Sequence, residues 1–328
     1  MPAQSAQIIY LDTNGWIGLA RGYYGRTSEL QRIAQKVVEA SRSCQVIFPL
    51  SITNFTETVR NLNQDRRKRL AEYMVLVSQG WAILPAPIIV APEITNACLR
   101  YLGLPPKYDL GRFVIKKGIS QLVGARGTLV YKNSNKPMPQ QLERDIMLKV
   151  ESPETLLLLM EHGVTRSFVK KDLQRLAVTA RELEQIRSEE SRRIRNNDTR
   201  RRAASAKYLV TEVNPEVIRF LLSIGVSPKA FADKALTDQK AVIRFFQFMP
   251  TSYCEVQLTL YRDMMGQRRI QPNDLHDIMS LSIAIPYSHV VVTERMWQTA
   301  IRQTKLDKLY HTTVLKSATE LGPVLEPN

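Results

Sequence analysis

The chain has 328 residues, room for one large domain or two ordinary ones, and its apolar share of 44% suits a packed interior and excludes wholesale disorder. Its formal net charge of +15 favours a polyanionic partner, because each phosphate neutralised by Lys or Arg releases counterions. No long apolar run offers a membrane span, MPAQSAQIIYLDTN lacks the pattern of a secretory signal, and no basic amphipathic helix or lipidation motif favours a membrane surface. Cys44, Cys98 and Cys254 form no CxxC pair and no zinc spacing, which predicts buried, reduced thiols in a cytoplasmic protein.

In chain order, QIIYLD at 7–12 reads as a buried strand closed by an acid. Thr13 and Asn14 then offer caps for a helix through Ile17 and Ala20, and Ser28 caps a second helix with Leu30, Ile33, Val37 and Val38 at helical spacing. CQVIFPL at 44–50 is a second buried strand. Ser51 and Thr53 open a helix that carries Glu57, another helix runs from about 65 to 78 before Gly80, and WAILPA is a third strand. The same alternation returns late: a helix over 272–286, a strand over 288–293, a helix over 295–303 and a last strand over 311–317. Alternation with short connections predicts an α/β fold with a parallel sheet flanked by helices.

The middle of the chain breaks this grammar. Residues 104–140 are rich in Gly, Pro and Lys and read as irregular, 152–208 are helical and Arg-rich, and 214–250 read as short helices with Pro215 and Pro228 near their starts. The expected organisation is a first half over 1–103, a mainly helical basic insertion over 104–250, and a second half over 251–328.

In parallel α/β sheets, ligands bind at the carboxyl ends of the strands. Asp12 stands at such an end, where it also reads as a helix N-cap. Glu57 is placed to point back across the strand ends, or to serve its helix dipole. Asp277 shares a helix with apolar Ile278, Leu281 and Ile285, so its carboxylate needs a partner that offsets desolvation. Asp274 is one turn earlier on the same face, and Glu294 follows the strand 288–293. His276 lies between Asp274 and Asp277 at offsets that face away from both, so it is not read as a ligand.

Three stretches together resemble the PIN-domain nuclease family: YLDTN at 10–14, PLSITNFTETVRN at 49–61 and NDLHDIMSLSIAIPYSHVVVTERMW at 273–297. The resemblance covers about 1–95 and 255–317 and leaves out the insertion. It implies a PIN-like three-layer sandwich around a central parallel sheet. It also implies Asp12, Glu57 and Asp277 as metal-binding acids, with Asp274 or Glu294 completing the set. Asp is more usual than Glu at the last position and often falls one residue later. Thr13, Asn14 and Thr293 would then supply hydrogen bonds that steady these acids. The implied activity is Mg2+- or Mn2+-dependent hydrolysis of phosphodiester bonds, with RNA favoured over DNA and an inhibitory or complex-forming protein partner compatible.

The insertion carries Arg187, Arg192, Arg193, Arg195, Arg200, Arg201, Arg202 and Lys207 against few acids, which favours phosphate contact over a merely solvated face. Lys107, Arg112, Lys116, Lys117, Arg126 and Lys132 form a second basic tract, and its Gly-rich run lacks the ending of a P-loop. Two other functions stay open: a non-catalytic basic nucleic-acid-binding protein, and a DNA-directed nuclease of a defence or toxin system.

Overall fold

The computed structural model of the chain describes residues 6–25, 28–125, 137–266 and 268–326. Strand β1 (Gln7–Leu11) lies between β2 (Val46–Ile47) and β5 (Val290–Val292), and β6 (Thr313–Leu315) closes the far edge. The two remaining strands are β3 (Trp81–Ile83) and β4 (Ile115–Lys117). All pairings in the four-stranded sheet β2-β1-β5-β6 are parallel, with Leu11 opposite Val292 and Val292 opposite Leu315.

Successive side chains on a strand point to opposite faces, and here both faces are covered. Ile9, Leu11, Val290 and Val292 enter one core with Trp16, Val37 and Met74. Tyr10 and Val291 enter another with Leu258, Leu281 and Trp297. Helices Thr13–Tyr24, Ser28–Arg42 and Gln64–Ser78 therefore cover one side, and helices Pro250–Met264, Pro272–Tyr287 and Arg295–Gln303 the other. Two-sided burial is why these strands are continuous apolar runs rather than alternating ones.

The third strand departs from expectation. Strand β3 pairs antiparallel with β4, inside a stretch read as irregular. It touches the main sheet through one parallel bridge, Leu50 to Ala82, with Leu50 N–H donating to Trp81 O and Ile83 N–H to Leu50 O. Pro49 has no N–H to give a ladder, so the 44–50 run is interrupted between Ile47 and Leu50. The cysteines also divide: Cys98 and Cys254 are buried, whereas Cys44 is exposed in a left-handed turn with φ 56°.

The central helices share cores with both halves of the chain. Leu156 and Met160 join the core beneath β1. Val217, Leu221, Phe245 and Phe246 share a core with Ile94 and Cys98 of helix Ala86–Tyr101 and with Val256 and Leu260. Arg67, buried, donates through Nη1 to Asn61 O (2.5 Å) and through Nε to Glu161 O (3.0 Å), tying the end of the Glu57 helix to helix Pro153–His162.

Glu93 is fully buried at the junction of three helices. It accepts hydrogen bonds from Thr251 N–H (3.1 Å), Thr251 Oγ1 (2.6 Å) and the Tyr287 hydroxyl (2.6 Å). Burial pushes its carboxyl up to about 7, and the bonds from Thr251 and Tyr287 pull the other way. Removing the acceptor would leave three donors buried and unpaired. Glu93→Ala should therefore lower unfolding free energy by roughly 2–4 kcal/mol, and Glu93→Gln, which keeps one acceptor, by less, as read from urea midpoints at constant slope.

Candidate acidic site

Asp12 is held by the sheet itself: its N–H donates to Val292 O at 3.0 Å, continuing the β1–β5 ladder one residue past Leu11. Its Oδ1 accepts from Gly15 N–H at 2.6 Å, so Asp12 does cap helix Thr13–Tyr24. A Cβ on residue 15 would stand 3.3 Å from that oxygen, which suits glycine there. Burial is the main cause that lifts the Asp12 carboxyl to about 6; Gly15 N–H and the Thr293 side chain oppose it, while the charges of Glu294 and Glu57 add to it.

Glu57 rides on helix Ile52–Arg60, whose start is fixed by reciprocal bonds between Ser51 and Asn54. Buried Asn54 also donates through Nδ2 to Thr13 Oγ1 (3.2 Å), and Ser51 Oγ lies 3.2 Å from the buried Tyr10 hydroxyl. These contacts lock the helix onto the end of β1. Asp277 sits on helix Pro272–Tyr287 and accepts from Trp297 Nε1 at 2.9 Å. Burial again dominates and pushes its carboxyl to about 7, opposed by that bond and reinforced by Glu57, Glu294 and Asp12. Glu294 is exposed at the start of helix Arg295–Gln303; it caps no backbone N–H there and accepts instead from Asn14 Nδ2.

The fold thus brings Asp12, Glu57, Asp277 and Glu294 close enough to feel one another's charge, with Thr13, Asn14 and Thr293 among their supports. Asp274 is engaged elsewhere. Its buried carboxylate takes both Arg268 guanidinium nitrogens (2.6 and 2.7 Å) and Gln271 N–H (2.8 Å), as the third residue of a helix with a reciprocal cap. An acid at that position folds back over its own helix start rather than toward the next turn. Among the described residues, no three His, Cys, Asp or Glu side chains are placed to hold a metal ion together.

His276 faces a neighbour that its offsets from Asp274 and Asp277 do not address. Its Nδ1 lies 3.8 Å from Glu57 Oε1, and that atom is buried with no hydrogen-bond partner. The offset only says which neighbours on its own helix His276 avoids; the facing helix Ile52–Arg60 decides what it meets. Sequence reasoning also passed over Ser51–Asn54 as a reciprocal cap, Trp297 as the donor to Asp277, and Arg268. The first had a readable signal in the Ser-x-x-Asn spacing, and the other two had none.

The basic residues divide as well. Arg192, Arg193, Arg195 and Arg202 are exposed. Arg200 and Arg201 are half-buried: Arg200 donates to Ile194 O at 3.0 Å, and Arg201 lines a cavity of about 310 Å³ with Phe246 and Tyr253. Arg187 is buried, paired with Glu184 and donating to Arg268 O at 2.8 Å. Lys116 and Lys117 are exposed on β4, over the rings of Phe113 and Trp81. Arg126 and Lys132 lie outside the described residues.

Set beside family models, curated proteins and solved structures, the chain has no match in any of the three comparisons.

Asp12 and Asp277 hold protons more tightly folded than unfolded. The stability they contribute is complete below the ordinary carboxylate range and is lost as pH rises through about 6 and about 7. Asp277→Asn should therefore melt above wild type at about pH 8 by roughly 2–5 °C, and the gap should close as pH falls toward about 4. Paired thermal melts across that range check this, and a gap independent of pH would mean that the Asp277 charge is not under strain.

Proposed function

We propose that the chain is a metal-dependent nuclease of PIN-like fold that hydrolyses phosphodiester bonds, RNA being the favoured substrate. The observation that supports it is the meeting of Asp12, Glu57, Asp277 and Glu294 at the carboxyl ends of β1, β2 and β5, where two of them are lifted into the neutral range by burial and mutual repulsion. The RNA preference comes from the family resemblance and from no residue in the site.

The donors suit a hard divalent cation. They are carboxylate oxygens whose charge the Arg268 guanidinium feels, and that guanidinium is already forked onto Asp274. Asp12, Glu57 and Asp277 would hold Mg2+ or Mn2+, with Glu294 beside them, and side-chain movement is needed to bring them together on it. The ion would offset the charge that builds on the phosphate and make bound water a better nucleophile. The chain's own part is positional. Trp297 fixes Asp277, Asn14 fixes Glu294, and Thr13 with Asn54 holds the Glu57 helix against β1. The exposed arginines of the insertion supply positive charge for the substrate backbone.

Because no three of these side chains stand ready to cage an ion, a second reading keeps the basic surface and drops the chemistry: a non-catalytic nucleic-acid-binding protein. Labelled RNA and DNA incubated with Mg2+, Mn2+ or EDTA separate the two. On the first reading cleavage needs metal, and Asp12→Asn and Asp277→Asn each cost more than the roughly 10–100-fold typical of residues standing behind a metal ligand. Binding without cleavage under every condition supports the second reading. Cleavage of DNA alone points to a DNA-directed nuclease of a defence or toxin system.

A further inference from the structure

A cleft of about 440 Å³ opens between helices Thr13–Tyr24 and Gln64–Ser78. Arg21, Tyr24, Arg66 and Arg69 line it, with Ile17 and Asn61 toward the acidic site. Arg21, Arg66 and Arg69 are exposed, and among the described residues none of them is ion-paired with a carboxylate. Their neighbour Arg67 is buried and spent on backbone carbonyls. Three exposed guanidinium groups, none of them ion-paired among the described residues, outweigh the Glu72 carboxylate behind Tyr24 and favour an anion here.

The aromatic at its wall is held in place. The Tyr24 ring packs edge-on against Tyr23, with centroids 5.1 Å apart at 89°, and its hydroxyl donates to Glu72 at 3.0 Å. The Arg69 guanidinium lies over the ring, 6.0 Å from its centroid, and Tyr24 is 40% exposed, so part of the ring stands open beside the positive charge. An aromatic face next to arginines is the combination that receives a base and its phosphate in single strands.

Helical spacing connects the cleft with the carboxylates. Thr13, Ile17 and Tyr24 fall on one stripe of their helix, at i, i+4 and i+11, and Asn61 follows Glu57 by four residues. Two stripes that begin at the acidic site thus end in the cleft, about 16 Å along the first helix at a rise of ~1.5 Å per residue. That span suits a strand that passes the carboxylates and continues outward.

We propose that this cleft is a subsite for one nucleotide unit of a single strand, with Arg21, Arg66 and Arg69 on phosphate and Tyr24 beneath a base; the choice of ligand rests on the nuclease reading above. The test is fluorescence anisotropy of the full chain in EDTA, with labelled single-stranded and duplex oligonucleotides over a salt series. Tyr24→Ala and the double variant Arg66→Ala/Arg69→Ala should each weaken single-strand binding about 10-fold, while Tyr24→Phe binds like wild type. Two lost phosphate contacts should also lower the salt slope by about 1.4. Melting curves confirm that each variant is folded.

Unchanged affinity and slope in Tyr24→Ala and the arginine pair would overturn the proposal, as would failure of wild type to bind any oligonucleotide. Loss on the duplex equal to that on the single strand, or full competition by inorganic phosphate with Tyr24→Ala silent, would overturn it in favour of a bare anion site. Asp277→Asn should bind the single strand no more weakly than wild type. Failure of the nuclease reading, seen in the cleavage assay, is therefore distinct from failure of the subsite.

Discussion

The placement of β1 between β2 and β5 is the constraint from which the rest of the molecule follows. Its register sets Leu11 beside Val292, and the next ladder bond, from Asp12 N–H to Val292 O, fixes the first acid against a segment 280 residues away in sequence (292 − 12). Because all three strands run the same way, the turns that leave them open on one edge of the sheet. Thr293 and Glu294 reach Asp12 through that shared direction, Ser51 reaches Tyr10 beside it, and the helices that carry Glu57 and Asp277 converge on the same edge.

Buried Asp274 and Glu93 and half-buried Asp12 and Asp277 show how differently a carboxylate can be accommodated. Asp274 has a guanidinium and a backbone N–H, so its charge is matched. Glu93 has no cation but three strong donors, two of them at the first turn of helix Pro250–Met264, where the helix dipole favours negative charge. Asp12 and Asp277 have fewer donors and like-charged neighbours. They carry a desolvation cost that the protein interior leaves largely uncompensated, in contrast to its treatment of the other two. Such an imbalance, in a structure that satisfies similar groups elsewhere, is what singles out this edge of the sheet as the candidate site.

Much of the fold was legible because its signals are local. Apolar runs closed by turn residues gave the four parallel strands, and caps such as Ser51 gave helix starts within a residue or two. Pairing was less legible. Nothing in WAILPA says that it prefers an antiparallel partner, and that partner, Ile115–Lys117, is three residues in a Gly- and Lys-rich stretch with little β pattern. The candidate site followed the same division. Asp12, Glu57, Asp277 and Glu294 could be picked out by their positions at strand ends and on helix faces. Asp274 could not be separated from them, because its partner Arg268 lies six residues earlier in a stretch with no pattern. The contact of His276 with Glu57 and the bond from Trp297 to Asp277 depend on how helices face one another, which helical periodicity does not encode.

The division of the site between the two ends of the chain also governs when it can exist. Asp277 follows Glu57 by 220 residues (277 − 57), and β5, the strand that anchors Asp12, is later still. At synthesis rates of roughly 5–20 residues per second, the early segment waits roughly 14–56 s for its central strand to find a neighbour on that side. During that interval β1 has only the two-residue β2 as a partner, and its other edge is an open row of backbone donors and acceptors. The helices made in between bury apolar surface against helices Gln64–Ser78 and Ala86–Tyr101 on their own account. The order of synthesis therefore brings Asp277 and β5 to the earlier carboxylates only after most of the chain has been made.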